Sequence, residues 1–222
     1  MDMTGKLIVF EGTDGSGKST QFNLTCEALK QAGREFRTCR YPQYSEESSA
    51  LVRMYLGGQF GSRPSDVNAF AASSFYAVDR YAGYKKHWGE FYENGGLMVL
   101  DRYTTSNAVH QASKMPVEAR NDFFRWLAEF EYGDLGLPRP DLVFWLDMPI
   151  ELAVSNLRRR ESDTNTTADI HEVDTEYLLS CHDAAAQAAE FYGWQRIACA
   201  DSEGNLRTIE DIHHEIMTLI ND

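Results

Sequence analysis

Residues Gly12-Thr13-Asp14-Gly15-Ser16-Gly17-Lys18-Ser19 fit the pattern Gly, four free positions, Gly, Lys, Ser/Thr. Those residue types at that spacing suit a polyphosphate. A triphosphate needs several N–H donors pointing inward, and glycines remove the side chains that would block its approach. Lys18 would reach the β- and γ-phosphates, and the Ser19 hydroxyl would be a ligand of Mg²⁺. The segment from Gly12 to Thr20 is therefore the expected ATP-binding loop. Its flanks supply the necessary context. Lys6–Glu11 is an apolar run that reads as a buried strand, and Thr20 to Ala32 reads as a helix with Phe22, Leu24, Cys26, Ala28 and Leu29 as its apolar positions, ending at Gly33. Strand, glycine loop and helix together make a phosphate cradle, with the helix N-terminus adding partial positive charge.

Three further clusters could do phosphate chemistry. Asp101-Arg102 closes the apolar run Leu97–Leu100, and the C-terminal ends of strands are where open α/β sheets place ligands. There a carboxylate can hold a metal or orient an attacking oxygen, and a guanidinium can clamp a phosphate with two hydrogen bonds. No Asp-x-x-Gly follows this strand, so the pattern is not that of a switch GTPase. Arg158-Arg159-Arg160 ends a helix and opens a polar stretch; such a group could close over phosphates as a lid and neutralise transition-state charge. Tyr76 and Arg80 stand four apart on one helix face, able to stack on a base and hydrogen-bond it. Each cluster also has a plainer reading: a strand-end ion pair, a solvated helix terminus, or a core tyrosine beside a surface charge.

These residues need a scaffold, and the pattern along the chain describes one. Apolar runs at 6–11, 97–100 and 141–146, with shorter strands at 35–41 and 195–200, alternate with helical stretches. Ser65 is read as the N-cap of a helix through Asn68 to about Tyr84, further helices cover 46–57, 104–113, 116–132, 149–160, 170–192 and 208–220, and 161–168 is read as loop. Alternating strands and helices predict an α/β fold: one five-stranded parallel sheet with helices on both faces, in a single domain over 1–222.

Composition narrows the partners. With 21 basic and 34 acidic residues the net charge is −13, which argues against a surface built for nucleic acid or an anionic membrane and makes the arginine positions informative. Cys26, Cys39, Cys181 and Cys199 are scattered without metal spacing and read as free thiols. The first strand begins almost at the start of the sequence and no apolar run reaches about 18 residues, so the expectation is a cytoplasmic protein.

Taken together the chain resembles the thymidylate kinases, nucleoside monophosphate kinases that phosphorylate dTMP. The resemblance rests on Phe10 to Thr20, Tyr41-Pro42, Asp79-Arg80, Asp101-Arg102-Tyr103 with Ser106-Asn107, the arginine-rich helix 149–160 and Asp169-Ile-His-Glu172. It implies a P-loop kinase using ATP and Mg²⁺, a homodimer, and a lid at about 158–170. It also implies roles: Lys18, Asp101, Arg102, Arg158 and Arg160 catalytic; Ser19 and Asp101 at the metal; Asp14, Tyr44, Tyr76, Arg80, Arg102, Asn107 and His110 around the acceptor nucleotide. Tyr76 would stack on thymine, Arg80 would bond the base carbonyl, Asn107 the pyrimidine edge, and Arg102 the acceptor phosphate. The P-loop interior holds no arginine, so the lid would supply the catalytic one. Two positions depart from the family pattern. Gln43-Tyr44 follow Tyr-Pro where an arginine is usual, leaving Arg40 or Arg53 as replacements, and His110 stands where a tyrosine near the deoxyribose is expected. A kinase of another pyrimidine monophosphate or of a deoxynucleoside is the alternative those departures leave open. A non-catalytic ATP-binding regulator is a more distant alternative, and would call for an added interaction segment that the sequence does not show.

Overall fold

The structure is a computed structural model that describes residues 4–164 and 175–221, with side chains described up to Arg158 and again from Glu176. Its centre is a five-stranded, fully parallel sheet in the order β2-β3-β1-β4-β5, formed by β1 (Lys6–Glu11), β2 (Phe36–Arg40), β3 (Leu97–Asp101), β4 (Leu142–Asp147) and β5 (Gln195–Ala198). Alternation of side chains along each strand divides the core in two. Ile8, Phe10, Val99 and Phe144 pack on one face against α1 (Lys18–Gln31) and α9 (Ile209–Asn221), through Phe22, Leu29, Ile212 and Ile216. Leu7, Val9, Met98 and Leu100 pack on the other face against Tyr84, Trp88 and Tyr92. Being buried on both faces explains why these strands read as continuous apolar runs rather than alternating ones. Among the described residues no helix is long and apolar enough to cross a membrane.

β1 is central, with β3 on one side and β4 on the other. The loop after it therefore opens at the point where strand order reverses, the usual ligand crevice of an open parallel sheet. The remaining helices are α2 (Ala50–Leu56), α3 (Ala69–Gly83), α4 (Gly89–Glu93), α5 (Thr105–His110), α6 (Arg120–Ala128), α7 (Ile150–Thr164) and α8 (Thr175–Tyr192).

Several boundaries differ from the sequence reading, each for a local reason. α1 begins at Lys18 rather than Thr20, because Gly17 takes a left-handed conformation (φ 81°) and starts the helix directly beneath the glycine loop. Ser65 is not the N-cap of α3. Residues 64–66 form a separate short turn, and Asn68 Oδ1 accepts from the Ala71 N–H instead. α7 continues to Thr164, where the sequence suggested a loop from Glu161; the rest of that loop and the Asp169–Glu172 segment lie outside the described residues. β5 stops at Ala198, and Ala200 forms only an isolated bridge to Leu206. Two wide π-helical turns, Tyr84–Trp88 and Glu129–Asp134, stand where the sequence suggested helices ending at about Tyr84 and at 132.

Candidate functional site

Two cavities open at the C-terminal edge of the sheet, and Asp14 lines both. The first, about 390 Å³, surrounds the glycine loop from Thr13 to Gln21 and is closed by Met148, Asn156, Arg207 and Ile209 among others. Gly15 is left-handed (φ 81°), and a Cβ there would sit 2.3 Å from the Ala153 carbonyl oxygen, so α7 packs against bare backbone. Asn156 on the same helix donates to the Gly15 carbonyl at 2.9 Å. The first helical residues are Lys18 and Ser19, with no side chain capping α1, so its orphan N–H groups face the cavity. Ser16 Oγ is buried without a hydrogen-bond partner among the described residues. An uncapped helix start, left-handed glycines and an orphaned hydroxyl suit a polyphosphate. Ser19 is exposed on the cavity wall, a hydroxyl that fits a hard divalent cation.

Lys18 and Asp101 are already joined. Lys18 Nζ donates to Asp101 Oδ1 at 2.6 Å, while Arg40 Nε stands 3.5 Å from Oδ2. Burial, and then the nearby Arg102 charge, hold the Lys18 ammonium below its ordinary pKa despite that bond.

The second cavity, about 250 Å³, lies between α3, α5 and the Tyr41–Tyr44 loop. It brings together all the acceptor residues expected from the sequence: Asp14, Tyr44, Tyr76, Arg80, Arg102, Asn107 and His110. Arg102 has a left-handed backbone (φ 67°), unique among the described non-glycine residues. Its Nη2 donates to Asp14 Oδ1 at 2.6 Å and its Nη1 to His110 Nε2 at 2.9 Å, with Glu11 Oε1 3.5 Å away. Burial alone would lower its pKa, but Asp14 and Glu11 outweigh that and raise it. Because a guanidinium only donates, His110 Nε2 must carry a lone pair.

Of the two suggested replacements for the missing arginine, neither lines this cavity. Arg40 donates to Asn23 at 2.8 Å and faces Asp101. Arg53 donates to the Tyr44 and Glu46 carbonyls, both at 2.8 Å. Gln43 turns away, donating to Cys39 Sγ at 3.2 Å, its backbone N–H held by buried Asp79 at 2.8 Å. Arg158 is exposed and lines neither cavity, and the side chains of Arg159 and Arg160 lie outside those described.

Three buried residues here escaped the sequence reading. Glu11 accepts from the Gly12 N–H (2.9 Å), Thr105 (2.6 Å) and Ser106 (2.6 Å), joining the glycine loop to α5. Gln111 lines the second cavity with its Oε1 buried and unbonded among the described residues. Glu131 binds Arg80 from behind. Only Glu11 had a sequence signal, a carboxylate ending an otherwise apolar strand.

Comparison with known proteins gives a consistent result. The thymidylate kinase family model matches residues 10–215. Thymidylate kinase of Mycobacterium tuberculosis is 32% identical over 172 residues, covering 77% of this chain and 79% of that protein. A probable thymidylate kinase of Pyrococcus horikoshii is 29% identical over 221 residues, covering 98% and 97%. Human thymidylate kinase is 32% identical over 146 residues, covering 66% and 62%. Among solved structures, thymidylate kinase from Candida albicans superposes with a TM-score of 0.71 over 98% of this chain and 92% of that one, at 19% identity, a likeness of fold.

Proposed function

The chain belongs to the thymidylate kinase family, and from that membership we propose that it transfers the γ-phosphoryl group of ATP to the 5′-phosphate of dTMP, with Mg²⁺ as the divalent metal. The observation that carries this reading is Asp14, shared by both cavities and bonded to Arg102. A donor on the glycine loop and an acceptor in the second cavity would meet over that pair.

The chain's own groups then divide the work. Gly12 to Thr20 offers N–H donors and the Ser16 hydroxyl to the phosphates of ATP, and Lys18, held by Asp101, adds charge at the transferred end. Arg102 presents the acceptor phosphate in line. Tyr76 stacks on the base, while Arg80 and Asn107 read its edge. His110 and Tyr44 flank the sugar and phosphate. Ser19, with Asp101 nearby, would hold Mg²⁺, which when bound neutralises charge developing on the phosphoryl oxygens. Arg158 and Arg160 would act from the lid at about 158–170. Little covalent chemistry is needed, so catalysis is positioning plus electrostatics. The whole chain would work as one domain, and as a homodimer in the cytoplasm.

A coupled ADP-release assay with MgATP and dTMP, dUMP, UMP, CMP, AMP and thymidine tests the reading. Preference for dTMP is expected. Faster turnover of thymidine or UMP would show that Gln43 and His110 have redefined the acceptor.

A further inference from the structure

Glu131 sits in the π-helical turn Glu129–Asp134, its side chain wholly buried. It does not line the acceptor cavity, yet two residues that do, Arg80 and Asn107, both end on it. Arg80 Nε donates to Oε2 at 2.7 Å and Arg80 Nη2 to Oε1 at 2.6 Å. Asn107 Nδ2 donates to the same Oε1 at 2.8 Å and to the Ser73 carbonyl at 3.1 Å. We propose that Glu131 is the positioning residue that sets the pyrimidine preference of this enzyme, by fixing which atoms of Arg80 and Asn107 face the base. The inference rests on the reading that the cavity takes a pyrimidine monophosphate.

The bonding pattern leaves one orientation for each group. Both partners of Asn107 Nδ2 are acceptors only, so turning the amide over would set Oδ1 against a carboxylate and a carbonyl at once. Nδ2 is therefore committed inward, and Oδ1 is the polar atom left over, with no partner among the described residues. Arg80 gives its Nε–H and one Nη2–H to Glu131, and every N–H it has left is a donor. At this part of the cavity wall Asn107 thus offers an acceptor and Arg80 offers donors. Thymine and uracil carry the complement, an O4 acceptor beside an N3–H donor. Cytosine carries the reverse, an amino donor beside a bare N3, and would meet donor with donor and acceptor with acceptor.

A counterion for buried Arg80 would need only the two-bond pair. The third bond, from Asn107, is what couples base reading to the carboxylate. The wide turn that delivers Glu131 is marked by the Leu135 N–H bonding to the Phe130 carbonyl five residues back, at 3.0 Å, and such turns are frequent at functional sites.

The test is kcat/KM for dTMP, dUMP and dCMP at saturating MgATP in wild type, Glu131→Gln and Glu131→Asp. Wild type should favour dTMP over dCMP by about 10³-fold or more. In E131Q one acceptor oxygen becomes an amide donor, so the three bonds that fix Arg80 and Asn107 can no longer all be kept. The dTMP:dCMP ratio should fall at least about tenfold, KM for dTMP should rise, and KM for ATP should stay within about twofold. The dTMP:dUMP ratio should not move, because both bases share the same edge. E131D keeps the charge one methylene short and should give an intermediate ratio. Equal losses on every acceptor, or an unchanged dTMP:dCMP ratio, would overturn the proposal. If E131Q gives no cooperative melt, E131D decides alone, a wild-type ratio again being fatal. A wild-type enzyme inactive on dTMP would instead overturn the assigned reaction.

Discussion

Arg102 is where most of the charge in the site converges. Its backbone N–H bonds the Phe10 carbonyl at 3.0 Å, which keeps the residue on the sheet while its left-handed φ of 67° throws the side chain across towards the glycine loop. A non-glycine residue holds such a conformation only when its surroundings enforce it, and enforced strain of this kind clusters at functional positions. Here Asp14 and His110 are the enforcers, gripping different ends of one rigid fork. Arg102→Lys cannot satisfy both at once, since a single ammonium replaces two divergent donors. We expect kcat/KM for dTMP to drop about 10²–10³-fold with KM for ATP within about threefold, the scale for losing one preorganised donor at a charged transition state. Steady-state kinetics measures it, and wild-type efficiency in R102K would remove Arg102 from the acceptor phosphate. The sequence makes Arg102 legible because its meaning lies in its place, next to an aspartate at a strand end. The glycine loop is legible for the same reason, as contiguous spacing. Glu131 is not. Its partners stand 51 and 24 residues away, and its neighbours Glu129 and Asp134 make it look like part of an acidic surface turn.

At the scale of elements, the end of β4 shows how the frame around the site is tied. Asp147 accepts from Arg196 of β5 at 2.5 Å and pairs with His182 of α8 at 2.7 Å, binding strand, strand and helix at one point. Burial alone would raise the Asp147 pKa, but the hydrogen bonds from His182 and Arg196 more than offset it and hold the carboxyl below its ordinary value. A depressed folded-state pKa favours folding above the unfolded value of about 3.9 and loses that contribution as pH falls below it and through the lower folded-state value. Asp147→Asn should therefore lower the melting temperature at pH 7 by about 2–4 °C, corresponding to about 1 kcal/mol with exposed Arg196 contributing little. The gap to wild type should narrow as pH falls from about 5 to about 3 and go on closing below that. A constant gap across that range in thermal melts would contradict the assignment. Strands such as β4 were readable because burial on both faces leaves an unbroken apolar run. Helix ends were less so. Asn68 and Ser65 are equally good caps by residue type, and only the packed turn at 64–66 decides between them. The π turns depend on tertiary packing and leave no periodic trace.

At the scale of the whole molecule, α3 has two faces with different duties. Tyr76 and Arg80 point into the acceptor cavity, while Phe70, Val78 and Tyr81 lie outward, 44%, 50% and 40% exposed. Phe70 stacks edge-on against Trp126 at 4.6 Å, and Trp126 lies parallel to Phe130 at 5.2 Å, so α3 and α6 share an aromatic surface. A molecule of charge −13 repels its own copies, and an apolar surface of this kind is where burial could overcome that repulsion. We expect sedimentation at micromolar concentration to give about twice the 25.2 kDa chain mass. Val78→Asp, at a half-exposed position, should sediment as a single chain while keeping a cooperative melt. Because the same helix carries the residues proposed to read the base, separation should also raise KM for dTMP more than KM for ATP, whose proposed cavity is lined by no residue of α3 among those described. A wild-type protein that sediments at 25.2 kDa would end the dimer reading. A V78D protein that keeps the doubled mass would move the interface off α3, and with it any coupling between assembly and the acceptor cavity.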